Sequence, residues 1–449
     1  MNRSPASSTA QGLRRAESAA LRLYGLLTRV LGLAVRARAR RRARHEPLYA
    51  HALEERLGVY PGDNEICPQG WVWLHAVSLG ETRAAALLVP ALRAQWPGMR
   101  LLLTHSTATG WAQGQTLLQP GDRQTWLPWD SAPAVRRFLQ HFRPRMGLLI
   151  ETEVWPVLLH ECRRAGVPVA LLNARLSERS LRQALRLGWL ARPAYAALGC
   201  VLAQHEDDAQ RLQALGAPTP LVVGNLKLDA EVPTQARLLA ARWARAWPAM
   251  RPRVLLASTR EGEETLWLQA LAALRARLQP LHILWLLVPR HPQRFAAVAA
   301  EVSAAGLLVC RRSDWGEGSP VLPEGVDVVL GDSMGEMQAW ALSSPLALLG
   351  GSFAPLGGQN LIELIAAGCA VLTGPHTYNF ADATLQACEA GVAWQTPDMA
   401  AALQAVAQRL EDPEGLAQTA ALGAQWVSTQ RGSVARHVQA LSHWAPGPG

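Results

Sequence analysis

Short apolar runs alternate with longer segments of mixed apolar and polar residues along most of the chain. The runs are WVWLHAVS (71–78), LLLTHS (101–106), GLLIE (147–151), VPVALLN (167–173), VLLAS (254–258), HILWLLVP (282–289), VDVVLG (326–331), PLALLGG (345–351) and AVLTG (370–374). Strands that are apolar on both faces, with helical stretches between them, predict parallel sheets covered on both sides. The pattern is interrupted at residues 229–252, where Pro233, Pro248 and Pro252 frame a short helix ahead of a new strand. Two successive α/β units are therefore expected. A chain of 449 residues also exceeds the size at which one core keeps growing.

A different pattern occupies the N-terminus. In LRLYGLLTRVLGLAV (21–35), apolar residues are interrupted by Arg22 and Arg29, and Arg15, Arg22, Arg29 and Arg36 recur every seven residues. On a helix these arginines form one stripe, with Leu23, Leu27, Val30, Leu31 and Ala34 opposite. Such a helix is roughly 22 Å long, short of a hydrocarbon core of about 30 Å, and suits a membrane interface. The run RARARRRAR (36–44) would attract an anionic leaflet and oppose translocation.

Net charge refines this picture. The chain carries +9, but residues 1–50 hold eleven Arg against two Glu, so the remaining residues are balanced. A neutral body argues against nucleic acid as the partner and assigns the basicity to the N-terminal segment. Six cysteines lie far apart without CxxC or Cys–His ligand spacing, which argues against a zinc site or a disulfide framework and fits a reducing compartment. Lys227 is the single lysine among forty-three arginines.

Polar residues concentrate where strands are expected to end. SLGE puts Glu81 at the start of a helix, as a cap or as a general base. GLLIETEVWP places Glu151 and Glu153 together at another strand end. In the second half, VPRHP (288–292) holds Arg290 between prolines, GDSMGEM (331–337) forms a glycine-bracketed turn, and GGSFAPLGGQNLIE (350–363) is a glycine-rich loop entering a helix with Asn360 and Glu363 in its first turn. Backbone N–H groups of such a loop can approach a phosphate. There is no GxGxxG fingerprint after a strand and no Walker loop, which argues against hydride transfer and NTP hydrolysis.

Taken in order, HAVSLGE, THSTATG, LPWD, ETEVWP, NARLSERS, GNLKLD, STREGEE, VPRHP, GDSMGEM, GGQNLIE and GPHTYNF resemble the Kdo transferases of lipopolysaccharide synthesis, glycosyltransferase family 30, over nearly the whole chain. The resemblance implies an α/β protein of GT-B fold, with two Rossmann-like domains facing across a cleft and an N-terminal membrane-associated helix. Its segments would be residues 1–45 for the anchor, 46–232 for the acceptor-binding domain and 233–449 for the CMP-Kdo-binding domain. It implies an inverting, metal-independent transfer of Kdo from CMP-Kdo to the 6′-hydroxyl of a lipid A precursor, lipid IVA, with no cofactor. Glu81 matches the family's general base, and Glu151 and Lys227 match residues assigned to transition-state stabilisation. Pro289 and Arg290, Met334 to Glu336 (with Gly335), and Asn360 to Glu363 (with Leu361 and Ile362) match the stretches that hold CMP. The implied partners are CMP-Kdo, the lipid A precursor and an anionic membrane leaflet, at the cytoplasmic side of the inner membrane, with no nucleic acid. Arg260 and Gln359 stand where many members carry His. The competing readings are a GT-B sugar-nucleotide 2-epimerase, which has no use for a membrane anchor, and a non-enzymatic basic membrane- or nucleic-acid-binding protein.

Overall fold

The structure is a computed structural model that describes residues 24, 25, 28, 37, 41–44, 46–62, 67–247, 251–315 and 322–445. The chain divides into two compact units, residues 1–230 with 432–449, and residues 231–431. In the first, the strands are β1 (Trp71–His75), β2 (Arg100–His105), β3 (Arg123–Trp126), β4 (Pro144–Ile150), β5 (Val169–Ala174), β6 (Cys200–Ala203) and β7 (Leu221–Val222). They form one sheet in the order β3-β2-β1-β4-β5-β6-β7, and every pairing is parallel. Its two faces are both dry. Trp73, Leu102, Leu149 and Leu171 point into one cluster, while their neighbours Leu74, Leu101, Leu148 and Leu172 point into another. Period-two alternation between two buried faces explains why these strands read as unbroken apolar runs.

The second unit repeats the plan with β8 (Arg253–Thr259), β9 (Leu284–Pro289), β10 (Val309–Arg311), β11 (Val328–Leu330), β12 (Leu346–Leu349), β13 (Ala370–Thr373) and β14 (Ala393–Gln395), in the order β10-β11-β9-β8-β12-β13-β14, again all parallel. All nine expected runs form strands. The five others, β3, β6, β7, β10 and β14, have two to four residues each, and four of them lie at the sheet edges. So short a strand with a solvent-facing side has no apolar run to announce it; both residues of β7 are exposed.

The division expected from sequence differs at the C-terminus. The helix Ser433–Trp444 belongs to the first unit, not to the second. Leu441 is fully buried in the first unit's core beside Val72, Leu74 and Leu88, with Val434 and Val438 packed against it. The apolar stripe of this helix is completed by residues some 350 positions upstream, a relation that a linear cut could not express. The expected N-terminal anchor, residues 1–45, lies outside the described residues apart from the few positions above; among the described residues no helix is long and apolar enough to cross a membrane.

Candidate active site

In an open parallel sheet, ligands bind beyond the carboxyl ends of the strands where the strand order reverses. In the first unit this point lies between β1 and β4, and both strands deliver carboxylates there. After β1 the chain enters the helix Leu79–Gln95, capped by Ser78. The Glu81 N–H donates to Ser78 Oγ (3.4 Å), the Ser78 hydroxyl returns to Glu81 Oε1 (3.3 Å), and the Val77 N–H donates to Glu81 Oε2 (2.6 Å). Capping and a catalytic role are thus compatible: the cap holds the carboxylate in place. Glu81 is only 9% exposed, and its pKa is pushed up to about 7. Burial is the chief cause, the nearby charges of Glu153 and Glu151 add to it, and the hydrogen bonds from Val77 and Ser78 oppose it.

At the end of β4, Glu151 sits in the left-handed region with φ 64°, a conformation that costs an L-residue about 1–2 kcal/mol and persists where the surroundings impose it. Its N–H donates to Leu172 O (2.9 Å) and its carbonyl accepts from the Arg175 N–H (3.4 Å), so the β5 segment fixes this turn. The carboxylate is buried between two cations, with Lys227 Nζ at 2.6 Å from Oε1 and Arg175 Nε at 3.5 Å from Oε2. Lys227 arrives on a short 3-10 turn, Leu226–Asp229, capped by Asn225, whose Oδ1 accepts the Lys227 N–H (3.0 Å). Glu153 accepts from the Trp155 indole (2.8 Å) and has His75 Nε2 at 3.8 Å. Burial pushes its pKa up, but the neighbouring His75 imidazole and hydrogen bonds from Trp155 and Thr152 outweigh this and hold it below the usual carboxylate range. Asp130 of the LPWD motif accepts from the Val157 and Leu158 N–H groups (3.2 and 2.7 Å) and thereby seats the helix that follows ETEVW.

Sequence reasoning placed Glu81, Glu151 and Glu153 at strand ends and singled out Lys227 as the one lysine; the structure brings Lys227 onto Glu151 and adds Arg175 and His75, which had not been singled out. Arg175 lies inside NARLSERS, and His75 ends β1 with an Nε2 atom that has no hydrogen-bond partner among the described residues. A buried His at the last strand position ahead of SLGE was the available signal.

The second unit has its own switch point, between β8 and β12. Here Glu263, almost fully buried at the start of the helix Glu263–Ala273, accepts four backbone N–H groups: Arg260 (2.8 Å) and Gly351 (2.7 Å) on Oε2, Phe353 (2.9 Å) and Ala354 (3.3 Å) on Oε1. This corrects one expectation. The first N–H groups of the glycine-rich loop 350–358 face a protein carboxylate, so those particular donors are not available to a phosphate. Gly350 is required sterically, since a Cβ there would meet Ser258 O at 2.2 Å. Asn360 caps the helix Leu361–Ala366 through Oδ1 to the Ile362 N–H (3.1 Å). Leu361 and Ile362 are buried in that helix, with Glu363 partly so.

The remaining candidates ring the same sheet end. Pro289 closes β9, and Arg290, held by its N–H to Thr259 O (2.9 Å), is exposed. Met334 is exposed on the turn after β11, followed by Gly335 in the left-handed region. Glu336 is bound by Arg312 through two hydrogen bonds (3.0 and 2.8 Å) and by the Ser333 hydroxyl. Arg260 pairs with Glu261 (3.2 Å) rather than with Glu263. No group of His, Cys, Asp and Glu suited to a metal ion occurs among the described residues. Glu263→Leu is expected to strand those four N–H groups and to lower the stability of this unit by roughly 3–5 kcal/mol, read as a fall in the thermal midpoint.

Comparison with known proteins places these features in context. Residues 51–230 match the family described as 3-Deoxy-D-manno-octulosonic-acid transferase (kdotransferase). The chain is 45% identical to the 3-deoxy-D-manno-octulosonic acid transferase of Bordetella pertussis over 91% of its own length and 94% of that protein. It is 31% identical to the enzyme of the same name from Haemophilus influenzae, covering 88% of this chain and 92% of that one. Among solved structures it is similar in fold to UDP-GlcNAc 2-epimerase from Neisseria meningitidis bound to UDP-GlcNAc (TM-score 0.57, 15% identity, 83% and 99% covered). A glycosyltransferase from Rickettsia africae gives the same TM-score at 11% identity, with 84% and 99% covered. At such identities the two structures speak to the fold alone: two parallel-sheet α/β units of GT-B type.

Proposed function

The chain belongs to the 3-deoxy-D-manno-octulosonic acid transferase family and is a glycosyltransferase, and from that premise we propose that it moves Kdo from CMP-Kdo to the 6′-hydroxyl of lipid IVA by an inverting displacement without a metal ion. The observation that carries the reading is Glu81, a carboxylate buried at the switch point of the first sheet whose affinity for a proton has been raised to near neutrality. A carboxylate of ordinary pKa is a weak base; one near 7 matches the proton affinity that efficient general-base catalysis needs.

Glu81 takes the proton of the acceptor hydroxyl as its oxygen bonds to the anomeric carbon of Kdo. The bond from that carbon to the phosphate oxygen breaks, and CMP leaves with the electron pair. Negative charge grows on the phosphate, and the anomeric carbon already bears a carboxylate, so fixed cations must be present before the reaction begins. Lys227 supplies one, with Glu151 and Arg175 fixing its place. Pro289 and Arg290, Met334 to Glu336 and Asn360 to Glu363 are the proposed CMP contacts. The epimerase reading rests on fold alone at 15% identity, whereas the transferase relatives align over nearly the whole chain.

We place the reaction at the cytoplasmic face of the inner membrane, as part of lipopolysaccharide core synthesis. The first unit carries a surface suited to it. The helix Glu178–Arg186 buries none of its residues, and Arg179, Arg182 and Arg186 recur at helical spacing beside exposed Leu185, Leu187 and Trp189. Arginines beside exposed Leu and Trp suit anionic headgroups and the acyl boundary. A protein lacking residues 1–44 is expected to keep measurable binding to phosphatidylglycerol-containing vesicles, and the pair Arg182→Glu with Trp189→Ser to reduce it about tenfold or more. Unchanged vesicle binding in the pair variant would remove this surface from the account.

The reading as a whole is tested by incubating the purified protein with a CMP-Kdo-generating system and lipid IVA in the presence of chelator, and weighing the lipid product. One or more added Kdo residues are expected. A product that appears only without chelator would overturn the metal-independent step, and no product under either condition would overturn the reaction.

A further inference from the structure

The C-terminal helix Ser433–Trp444 plays no part in the reaction as set out above, yet it is fastened to the segment that carries Lys227 at two places. The first is Asp229. Its carboxylate accepts the N–H groups of Gly432 (2.8 Å), Ser433 (3.2 Å) and Val434 (2.6 Å), which are the orphan donors at the start of that helix. Asp229 stands two residues after Lys227, so the turn Leu226–Asp229 ends on the helix N-terminus.

The second fastening runs through His437, which is fully buried. Its Nδ1 lies 2.8 Å from Ser433 O and its Nε2 lies 3.0 Å from the Asn173 backbone nitrogen. A carbonyl can only accept and a backbone N–H can only donate, so the proton must sit on Nδ1 and Nε2 must accept. Burial, the main cause, pushes the pKa of this imidazole down to about 4, which keeps Nε2 free of a proton at neutral pH. The residue it grips is unusual: Asn173, next to last in β5, lies in the left-handed region, φ 51°, with no exposure. Asn173 Oδ1 accepts the Leu226 N–H (2.9 Å), and its carbonyl accepts from Gln204 Nε2 (2.9 Å). Gln204 Oε1 accepts from Asn225 Nδ2 (3.0 Å), and Asn225 Oδ1 accepts the Lys227 N–H (3.0 Å). Leu226 and Leu228 are buried on either side, leaving Lys227 as the one residue of this turn whose side chain reaches Glu151.

We propose that His437 and Asp229 are positioning residues for the transfer reaction: through Asn173 and the 225–229 turn, the C-terminal helix holds the Lys227 ammonium against Glu151. The proposal rests on Lys227 acting in the reaction as set out above. A cation whose stem has four rotatable bonds stabilises a developing charge only if its backbone is fixed, and a displacement of about 1 Å in such a group can lower turnover about a hundredfold.

The test uses the full-length protein with lipid IVA and CMP-Kdo. His437→Leu removes the acceptor and keeps the bulk; His437→Gln offers a carbonyl oxygen at a similar reach. His437→Leu is expected to lower kcat about tenfold or more with KM for CMP-Kdo within about twofold of the parent, and His437→Gln to recover most of that loss. Lys227→Met, alone and combined with His437→Leu, separates the two claims. If Lys227→Met is damaging and His437→Leu adds little on top of it, the two act as one unit and the proposal stands. If Lys227→Met is damaging and His437→Leu alone is silent, or its effect simply multiplies with that of Lys227→Met, the positioning role is wrong and His437 serves only the fold. If Lys227→Met leaves kcat unchanged, the role of Lys227 itself fails. CMP binding by calorimetry guards against misfolding: loss of CMP binding in both His437 variants would also count against a positioning role.

Discussion

Glu81→Gln is expected to lower kcat about a thousandfold while CMP binds with unchanged affinity, because general-base assistance contributes on the order of a hundred- to ten-thousandfold and the CMP contacts proposed above lie on the other unit. Isothermal titration with CMP beside a transfer assay checks both halves. The same variant has a second signature, in stability. The folded-state pKa of Glu81 is raised to about 7 from the ordinary 4.5, so the folded protein binds more protons than the unfolded chain between those values. Stability from this group therefore falls as pH rises through that window, and the full penalty is present above about pH 7. Glu81→Gln has no such penalty: its thermal midpoint should exceed the parent's at about pH 8 and lose that advantage below about pH 4.5. A protein that gains stability when its base is removed behaves as expected of a site where activity opposes stability.

The second large effect concerns Lys227, the only lysine in a chain of forty-three arginines. Lys227→Arg keeps the charge and is nevertheless expected to reduce kcat about ten- to a hundredfold. The ammonium lies 2.6 Å from Glu151 Oε1, and Arg175 already holds the other oxygen. A planar guanidinium would seek both carboxylate oxygens at once, compete with Arg175 and point its remaining donors along fixed directions, where the ammonium can rotate a proton toward a departing phosphate. A Lys227→Arg protein with the parent's rate would show that any cation suffices.

How much of this was legible in the sequence can be judged residue by residue. The strands buried on both faces were, because an unbroken apolar run is what such a strand requires; the short edge strands β7, β10 and β14 were not, because edges leave no run. Glu81 and Glu151 were legible as carboxylates at strand ends, and the motif resemblance gave them roles. What the sequence could not show was their electrostatics. Glu81 is raised by burial and by charges from a different strand end, and Glu151 is bracketed by cations 24 and 76 residues away. The glycine-rich loop 350–358 was legible as a loop, but its partner was not: Glu263 lies 88 residues upstream of Gly351 and occupies donors that composition alone would offer to a phosphate. The C-terminal helix was the largest omission. Its amphipathic pattern was ordinary, and only the fold shows that its apolar stripe and His437 complete the first unit.

The pH dependence of kcat/KM for Kdo transfer tests the central claim, that a buried Glu81 carboxylate is the base, most directly. With the base protonated below its pKa, kcat/KM should fall about tenfold for each pH unit below about 7 and level off above it, and the limb should vanish in the residual activity of Glu81→Gln. A rate that stays level down to about pH 5, or a limb near 7 that persists unchanged in Glu81→Gln, would contradict the account.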